Sequence, residues 1–537
     1  MEENNLITLI ICCIGIQGVL FPQDPGEINS AELMETKTAE QIIFELETDF
    51  SEFDIPLDIT YDVSLYRVEY HTIDPQNVPT IASGVLAVPL TPQFNPRPLF
   101  SFQHGTVLKR SSVASVQGFD VLSMWLGGRG FITAIPDLLG LGVSEMLHPY
   151  MVYIPSATAV VDMIRASHNL CDSLEIGISG QTFLSGYSEG GYVTMAAHKY
   201  IESELSDEIQ ITASAPCAGP YDLSAVMLDL MLTPEPYNSP FYLPYTVLAY
   251  NDVYELYDSP SEFFISPYDT LLPPMFDGYH SGGEVDAVMP EIPIEIILPE
   301  LVDEVSSNSN HPLRIALQEN DVYPWVPQSP VALLHSNQDD LVPVQNTLNT
   351  YEYFISHGAE NIEMYVDDLG GHVEAAGILL LAAAAWIEEF LISSMDISFD
   401  YGWNMMGISL ISENNSVEIL FPESVENSLF SYSGGGYVEE TQLIPGTGYW
   451  LRFNSEGFVS PSGELIEELT LTVNEGWNLI SGISFSVAVA EIESELIIEG
   501  SVFGYNGEYY EPQFLEPGKA YWLRCSDNGT ISISIIP

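Results

Sequence analysis

The sequence predicts an α/β protein: a doubly wound, mostly parallel sheet with a cap insertion, followed by two small all-β modules. Three observations carry this expectation. Apolar runs of strand length alternate with helical patterns from residue 98 to 215 and again from 330 to 391, the pattern of a parallel sheet covered on both faces. The apolar run Thr182 to Leu184 leads into Gly186-Tyr187-Ser188-Glu189-Gly190 and then into a helical pattern through Tyr192, Val193, Met195 and Ala196. Finally, the C-terminal part repeats itself. Gly402-Trp403-Asn404 recurs as Gly476-Trp477-Asn478, Phe430-Ser431-Tyr432 as Phe503-Gly504-Tyr505, and Pro445 to Arg452 as Pro517 to Arg524, at offsets of 72 to 74 residues.

A chain of 537 residues holds more than one domain and can bury a full enzyme core. Its 76 Asp and Glu against 12 Lys and Arg give a formal net charge of −64. With 46% hydrophobic and only 16% charged residues, the excess acid lies on a folded protein and is not a disordered tail. Such a field repels nucleic acid and anionic membranes, which excludes nucleic-acid binding. It suits a soluble exported protein or high salt, where self-repulsion is screened, and equally an organism whose proteins are acidic throughout.

Residues 1–21 contain an apolar run from Leu6 to Phe21, short for a membrane span and of the right length for a signal peptide core, with Gly18 at a possible cleavage site. The acidic start, Glu2-Glu3, has the wrong sign for a signal peptide, so an uncleaved anchor stays open. Cys12 and Cys13 fall in this run. Cys171, Cys217 and Cys525 lack metal-ligand spacing; Cys171 and Cys217 are compatible with a pair, and more simply with burial as apolar residues.

Residues 22–57 form a polar, acidic leader, and 58–394 the α/β domain. Within it, Asp58 to Val88 alternates as antiparallel strands, and Pro98 to Phe102 is a strand running into Gln103-His104-Gly105-Thr106. Phe119 to Gly127 is helical, Phe131 to Ile135 a strand, and Ser156 to Leu170 an amphipathic helix. Ile209 to Ala215 is the next strand. The alternation then breaks. Residues from about 219 to 326, rich in Tyr, Pro, Leu and Phe, are expected to form a cap whose apolar side chains line an acyl or aryl pocket. The sheet resumes at Pro330 to His335; a helix over Val344–His357, a strand over Ile362–Val366 and a long helix over Ala375–Leu391 complete it. The β-modules span 397–470 and 471–537. Their aromatic residues suit either a glycan, lipid or polymer surface or the module cores; recurrence at matching places favours the core for the Trp pairs.

Strand, tight turn and helix around G-x-S-x-G make a nucleophile elbow, with Ser188 as nucleophile and the Glu189 N–H free to bind an oxyanion. The turn after Phe102 offers a second donor, the N–H of Thr106. Asp339, in the loop after a late strand and three residues before Val342-Pro343, is the candidate acid in preference to its neighbour Asp340; only one of the two can face an imidazole. His372, in a glycine-softened loop before the last helix, is the candidate general base. Asp137 precedes the serine and is expected to be structural. The chemistry requires no cofactor and no metal.

The order Ser188, Asp339, His372 is that of the α/β-hydrolases. Residues 58–394 resemble that superfamily, and within it the bacterial relatives of the secretory lipase family, through Gln103 to Thr106, Pro136-Asp137 with Gly140 and Gly142, His148-Pro149-Tyr150, Gly186 to Gly191, Asp339 with Val342-Pro343, and Gly371-His372. The departure is Ser336, where many hydrolases carry Gly. The resemblance implies secretion and hydrolysis of aliphatic or aryl esters through a Ser-Asp-His triad and an acyl-enzyme. A peptidase or amidase on the same fold stays open, as does a surface-binding protein whose hydrolase domain is inert.

Overall fold

The computed structural model describes residues 24–49, 57–90, 96–395, 397–412, 414–492 and 495–534. The candidate signal peptide or anchor at 1–21, with Cys12, Cys13 and Gly18, lies outside the described residues. Among the described residues, a nine-stranded sheet organises the larger domain in the order β1-β2-β3-β5-β4-β6-β7-β8-β9. The strands are β1 (Ile28–Lys37), β2 (Val63–Ile73), β3 (Pro79–Pro89), β4 (Arg97–Gln103), β5 (Ile132–Pro136), β6 (Ile178–Tyr187), β7 (Ala213–Cys217), β8 (Val331–Ser336) and β9 (Ile362–Asp367). The first four in the order pair antiparallel. From β5 through β4 to β9 every pairing is parallel.

Successive residues of the central strands feed opposite faces of the sheet, because strand side chains alternate. Leu99, Leu184 and Leu333 pack with the helices Tyr153–Ser173 and Glu189–Glu204. Phe100, Phe183 and Leu334 pack on the other face with the helices Val121–Gly128 and His372–Glu388. With both faces covered, β5, β7 and β8 are buried along their whole length, which is why they read as mostly apolar runs with no polar-out alternation.

Three expectations need correction here. Residues 28–37, taken as leader, form the edge strand β1, paired with β2. Its side chains are mostly exposed, so backbone hydrogen bonds hold it and no apolar alternation marks it. The strand expected at Ile209–Ala215 starts only at Ala213 and runs on to Cys217. The boundary placed between residues 470 and 471 falls inside the strand Glu468–Val473, which pairs with Gly529–Ser534 and so belongs wholly to the second module.

The two modules build matching four-stranded sheets. Gly402–Met406, Tyr449–Phe453, Phe430–Ser433 and Gly436–Glu439 form the first; Gly476–Ser481, Ala520–Cys525, Ile497–Tyr505 and Tyr509–Tyr510 form the second in the same order. In each, Asn of the Gly-Trp-Asn segment ties the preceding turn. Asn404 Nδ2 donates to Asp400 O and Asn478 Nδ2 to Asn474 O, both at 2.8 Å. The glycine before each Trp has φ of +99° and +93°, which side chains rarely tolerate. These constraints account for the repeated Gly and Asn. The repeated Trp has a different cause, because the expectation that the Trp pairs fill the module cores fails for Trp403 and Trp477, which are 43% and 41% exposed, while Trp450 and Trp522 are half-buried against the cluster of Met405, Leu479 and Ala520. The cores are made instead by residues such as Tyr449, Leu451 and Phe453, or Tyr521, Leu523 and Cys525, which alternate with Trp450 and Trp522 along their strands.

Cys171, Cys217 and Cys525 are free and buried. Among the described residues no three His, Cys, Asp or Glu side chains gather as a metal site, and no helix is long and apolar enough to cross a membrane.

Candidate active site

β6 ends at Tyr187 and the helix Glu189–Glu204 begins one residue later. Ser188, between them, has φ 61° and ψ −120°, a conformation that costs a non-glycine residue about 1–3 kcal/mol. The surroundings hold it there: Ser188 N donates to Cys217 O at 3.0 Å, and Tyr192 N donates to Ser188 O at 3.1 Å. The close approach of strand and helix explains the flanking glycines. A Cβ on Gly190 would overlap the carbonyl oxygen of Gln103, and one on Gly186 would overlap that of Gly190. Gly190→Ala is therefore expected to destabilise the larger domain by about 1–3 kcal/mol, seen as a lower unfolding midpoint. An unchanged midpoint would mean the end of β4 can retreat at no cost.

Parallel pairing sets Gln103 of β4 beside Gly186 of β6, and Cys217 of β7 beside Tyr187. The turn His104-Gly105-Thr106 thereby meets the elbow: a Cβ on Gly105 would sit 3.5 Å from Tyr187 O and 3.9 Å from Ser188 Cβ. His104 fixes this turn, its ring nitrogens lying 2.7 Å from Gly105 O and 3.0 Å from Asp137 O. Thr106 Oγ1 lies 3.1 Å from the Tyr150 hydroxyl. Asp137 is fully buried, accepting from Ser83 Oγ at 2.5 Å and Ser115 N at 3.2 Å, and burial pushes its carboxyl up. It is part of the wall beneath the turn.

The loop after β8 and the start of the last helix bring Asp339 to His372. The His372 Nδ1–H donates to Asp339 Oδ2 at 2.6 Å, which leaves Nε2 as the acceptor nitrogen. Asp339 Oδ1 accepts from Leu341 N at 2.9 Å and Val342 N at 2.7 Å. His335, unassigned by sequence, also reaches this carboxylate. Its Nε2 lies 3.2 Å from Asp339 Oδ2 and 3.0 Å from Val342 O, both acceptors, so Nε2 carries the hydrogen and Nδ1 accepts from the Thr347 hydroxyl at 2.7 Å. Burial pushes the Asp339 carboxyl up, but hydrogen bonds from His335, His372 and the Val342 N–H outweigh it and hold the group well below the usual carboxylate range. Asp340 takes a different part. Its Oδ1 accepts from the backbone N–H of His372 at 2.9 Å and its Oδ2 from Asn238 Nδ2 at 2.6 Å. It anchors the first residue of the helix and does not touch the imidazole nitrogens. Tyr187 holds His372 from below, its hydroxyl donating to His372 O at 2.5 Å.

Beside Ser188, the Glu189 side chain is buried against His148, Oε1 to Nε2 2.6 Å. On its other side the His148 ring meets Leu139 O, 2.5 Å from Nδ1, so the imidazole bridges the elbow helix and the loop after β5. This pair fixes the first residue of the elbow helix. The sequence placed His148 near the site but gave no sign of a partner 41 positions away.

Ser188 and His372 line one cavity of about 110 Å³. Its other walls come largely from the 219–326 segment, whose short helices Leu223–Met227 and Leu228–Met231 present Leu223, Met227, Leu230 and Met231. Tyr150 and Tyr242 add nearly parallel rings, with centroids 6.2 Å apart. Burial pushes the Tyr242 phenol up to about 12, so it stays neutral at this wall.

The family model of the secretory lipases matches residues 305–396, a stretch that holds Asp339 and His372. No curated protein matches the chain. Among solved structures, the chain is similar to a candidate hydrolase from Legionella pneumophila subsp. pneumophila, 28% identical over 68% of this chain and 98% of that one, TM-score 0.61. It is also similar to the ligand-bound form of the rice cell wall degrading esterase LipA from Xanthomonas oryzae, 26% identical over 68% and 98%, TM-score 0.62. Closed Candida antarctica lipase A, 16% identical over 68% and 82% with TM-score 0.52, shares the fold. The chain thus has the α/β-hydrolase fold, resembles the secretory lipases over residues 305–396 and solved hydrolase and esterase structures over 68% of its length, and carries two further all-β modules.

Proposed function

We propose that this chain is an exported serine hydrolase that cleaves aliphatic or aryl carboxylic esters through Ser188, Asp339 and His372. The observation that carries the reading is the placing of a conformationally strained Ser188 and an Asp339-bound His372 on one apolar cavity. His372 Nε2 takes the Ser188 proton as Oγ attacks the ester carbonyl. Asp339 keeps Nδ1 protonated and stabilises the imidazolium that forms. The Glu189 and Thr106 N–H groups bind the oxyanion, each worth about 3 kcal/mol in sites of this kind. The imidazolium then protonates the leaving alcohol. Water, deprotonated by His372, cleaves the acyl-enzyme and restores Ser188.

The apolar, methionine-rich wall favours an uncharged acyl group, and the net charge of −64 disfavours anionic substrates. Export is supported by the apolar run Leu6–Phe21 and by the likeness to secretory lipases. A panel of p-nitrophenyl esters of rising acyl length, with matched anilides, tests the reading; turnover of anilides with none of esters would replace it by an amidase. Met231→Trp is expected to shift preference toward short acyl chains by about tenfold or more in relative kcat/KM, because lost pocket volume rejects methylenes at about 1–3 kcal/mol each. An unchanged chain-length profile would remove this wall from the acyl site.

A further inference from the structure

The outward faces of the two β-modules carry aromatic rings that neither module core uses. Trp403, Phe430 and Trp450 of the first module join Tyr505 and Tyr509 of the second around a cleft of about 550 Å³. Trp477, Phe503 and Trp522 of the second join Tyr432 and Tyr437 of the first around one of about 490 Å³. The two clefts repeat one geometry. Ring centroids of Trp403 and Phe430 are 6.0 Å apart at 51°, those of Trp477 and Phe503 6.0 Å at 49°. Across the seam, Trp450 and Tyr505 are 4.9 Å apart, Tyr432 and Trp522 4.8 Å. Each cleft needs both modules, and Tyr437 and Tyr509 line both clefts, so the clefts adjoin.

We propose that these adjoining clefts bind a neutral polysaccharide, each seating a pyranose ring against its exposed tryptophan. The physical reasons are three. Strand alternation sends Trp450 and Trp522 away from the module cores, and Met405, Leu479 and Ala520 close the centre of the seam while the flanking rings stay open. Trp403 and Trp477, like Tyr437 and Tyr509 at 58% each, are exposed to matching degrees, a cost in water that a bound surface removes. Flat rings with indole N–H and phenol O–H at their edges suit a ligand with C–H faces and hydroxyl rims.

Charge and symmetry narrow the occupant further. The chain's −64 opposes a polyanion. Two exposed arginines, Arg452 and Arg524, pair across their strands with Trp403 and Trp477, and the Arg524 guanidinium lies 5.9 Å from the Trp477 ring. They offer hydroxyl-directed donors and fall far short of neutralising a charged polymer. Two equal, adjoining clefts fit a ligand that itself repeats. A bilayer would instead call for protruding apolar side chains ringed by many cations.

The test uses the full chain. Retention on microcrystalline cellulose, insoluble xylan, mannan and chitin is measured, with titration of the matching hexasaccharides followed by tryptophan fluorescence. Trp403→Ala and Trp477→Ala are each expected to weaken binding at least fivefold and the double variant to abolish it. Both side chains are outside the cores, so the unfolding midpoint and turnover of soluble p-nitrophenyl esters should stay unchanged, which separates this proposal from the catalytic one. Absence of retention on all four polymers overturns it. So does undiminished binding by the double variant, or binding only to poly-L-proline, a polyester film or neutral lipid vesicles.

Discussion

Ser188→Ala is expected to lower ester turnover by about 10⁴- to 10⁶-fold while leaving the unfolding midpoint near or above that of the parent chain. The size follows from losing the proposed nucleophile at the elbow, which lines the cavity. The residual rate would come from the oxyanion donors and substrate positioning, which remain. Stability should hold because alanine must adopt φ 61° as serine does, and the new methyl-sized side chain leaves the bonds Ser188 N to Cys217 O and Tyr192 N to Ser188 O in place. The measurement is steady-state turnover on the preferred p-nitrophenyl ester, with covalent labelling by a fluorophosphonate read by mass. Labelling of the alanine variant at another residue, or turnover within tenfold of the parent, would remove Ser188 from the chemistry.

Asp339→Asn is expected to cost about 10⁴ in kcat, and Asp340→Asn less than about tenfold. The difference comes from what each carboxylate touches. Asp339 accepts at both oxygens: two backbone N–H groups on Oδ1, and His372 with His335 at Oδ2. An asparagine must keep its oxygen toward the backbone pair. Its NH₂ then faces His372 Nδ1 and forces the hydrogen onto Nε2, the nitrogen needed as base, and it also meets the His335 Nε2–H, donor against donor. Catalysis and stability should fall together. Asp340 bonds only the backbone N–H of His372 and Asn238, so its amide can still accept from the first.

The acid dependence carries the same signature. The folded Asp339 carboxyl is held below its ordinary value, so the unfolded chain binds that proton more tightly. Its contribution to stability is full above the unfolded value of about 4 and is lost as pH falls below it toward the folded one. Urea midpoints of the parent should therefore drop between pH 5 and pH 3 by more than those of Asp339→Asn, measured side by side; parallel drops would mean that the carboxylate is not selectively stabilised.

Much of the larger domain was legible because its physics is local. Buried strands such as β8 open on runs of apolar residues, the helices carry an apolar pattern of helical period, and the elbow requires glycine where strand and helix touch. The edge strand β1 was not legible, since a strand held mainly by its backbone ladder, with most side chains exposed, carries no apolar alternation. The repeat was plain in the sequence, whereas the placing of its exposed tryptophans was not. Recurrence shows that a residue is needed in both copies, and exposure of Trp403 and Trp477 decides that the need is not burial.

By itself the sequence determined the alternation of the central strands and helices, the place of the serine in a tight strand-to-helix turn, and the doubling of the C-terminal module, because periodicity and glycine requirements act over a few residues. Only the tertiary structure decided that Asp340 takes the backbone N–H of His372, that His335 shares the Asp339 carboxylate, and that Trp450 and Trp522 each pack against a tyrosine of the other module. Those outcomes depend on the directions of side chains brought together from distant parts of the chain, and direction in space is set by packing after the backbone has closed.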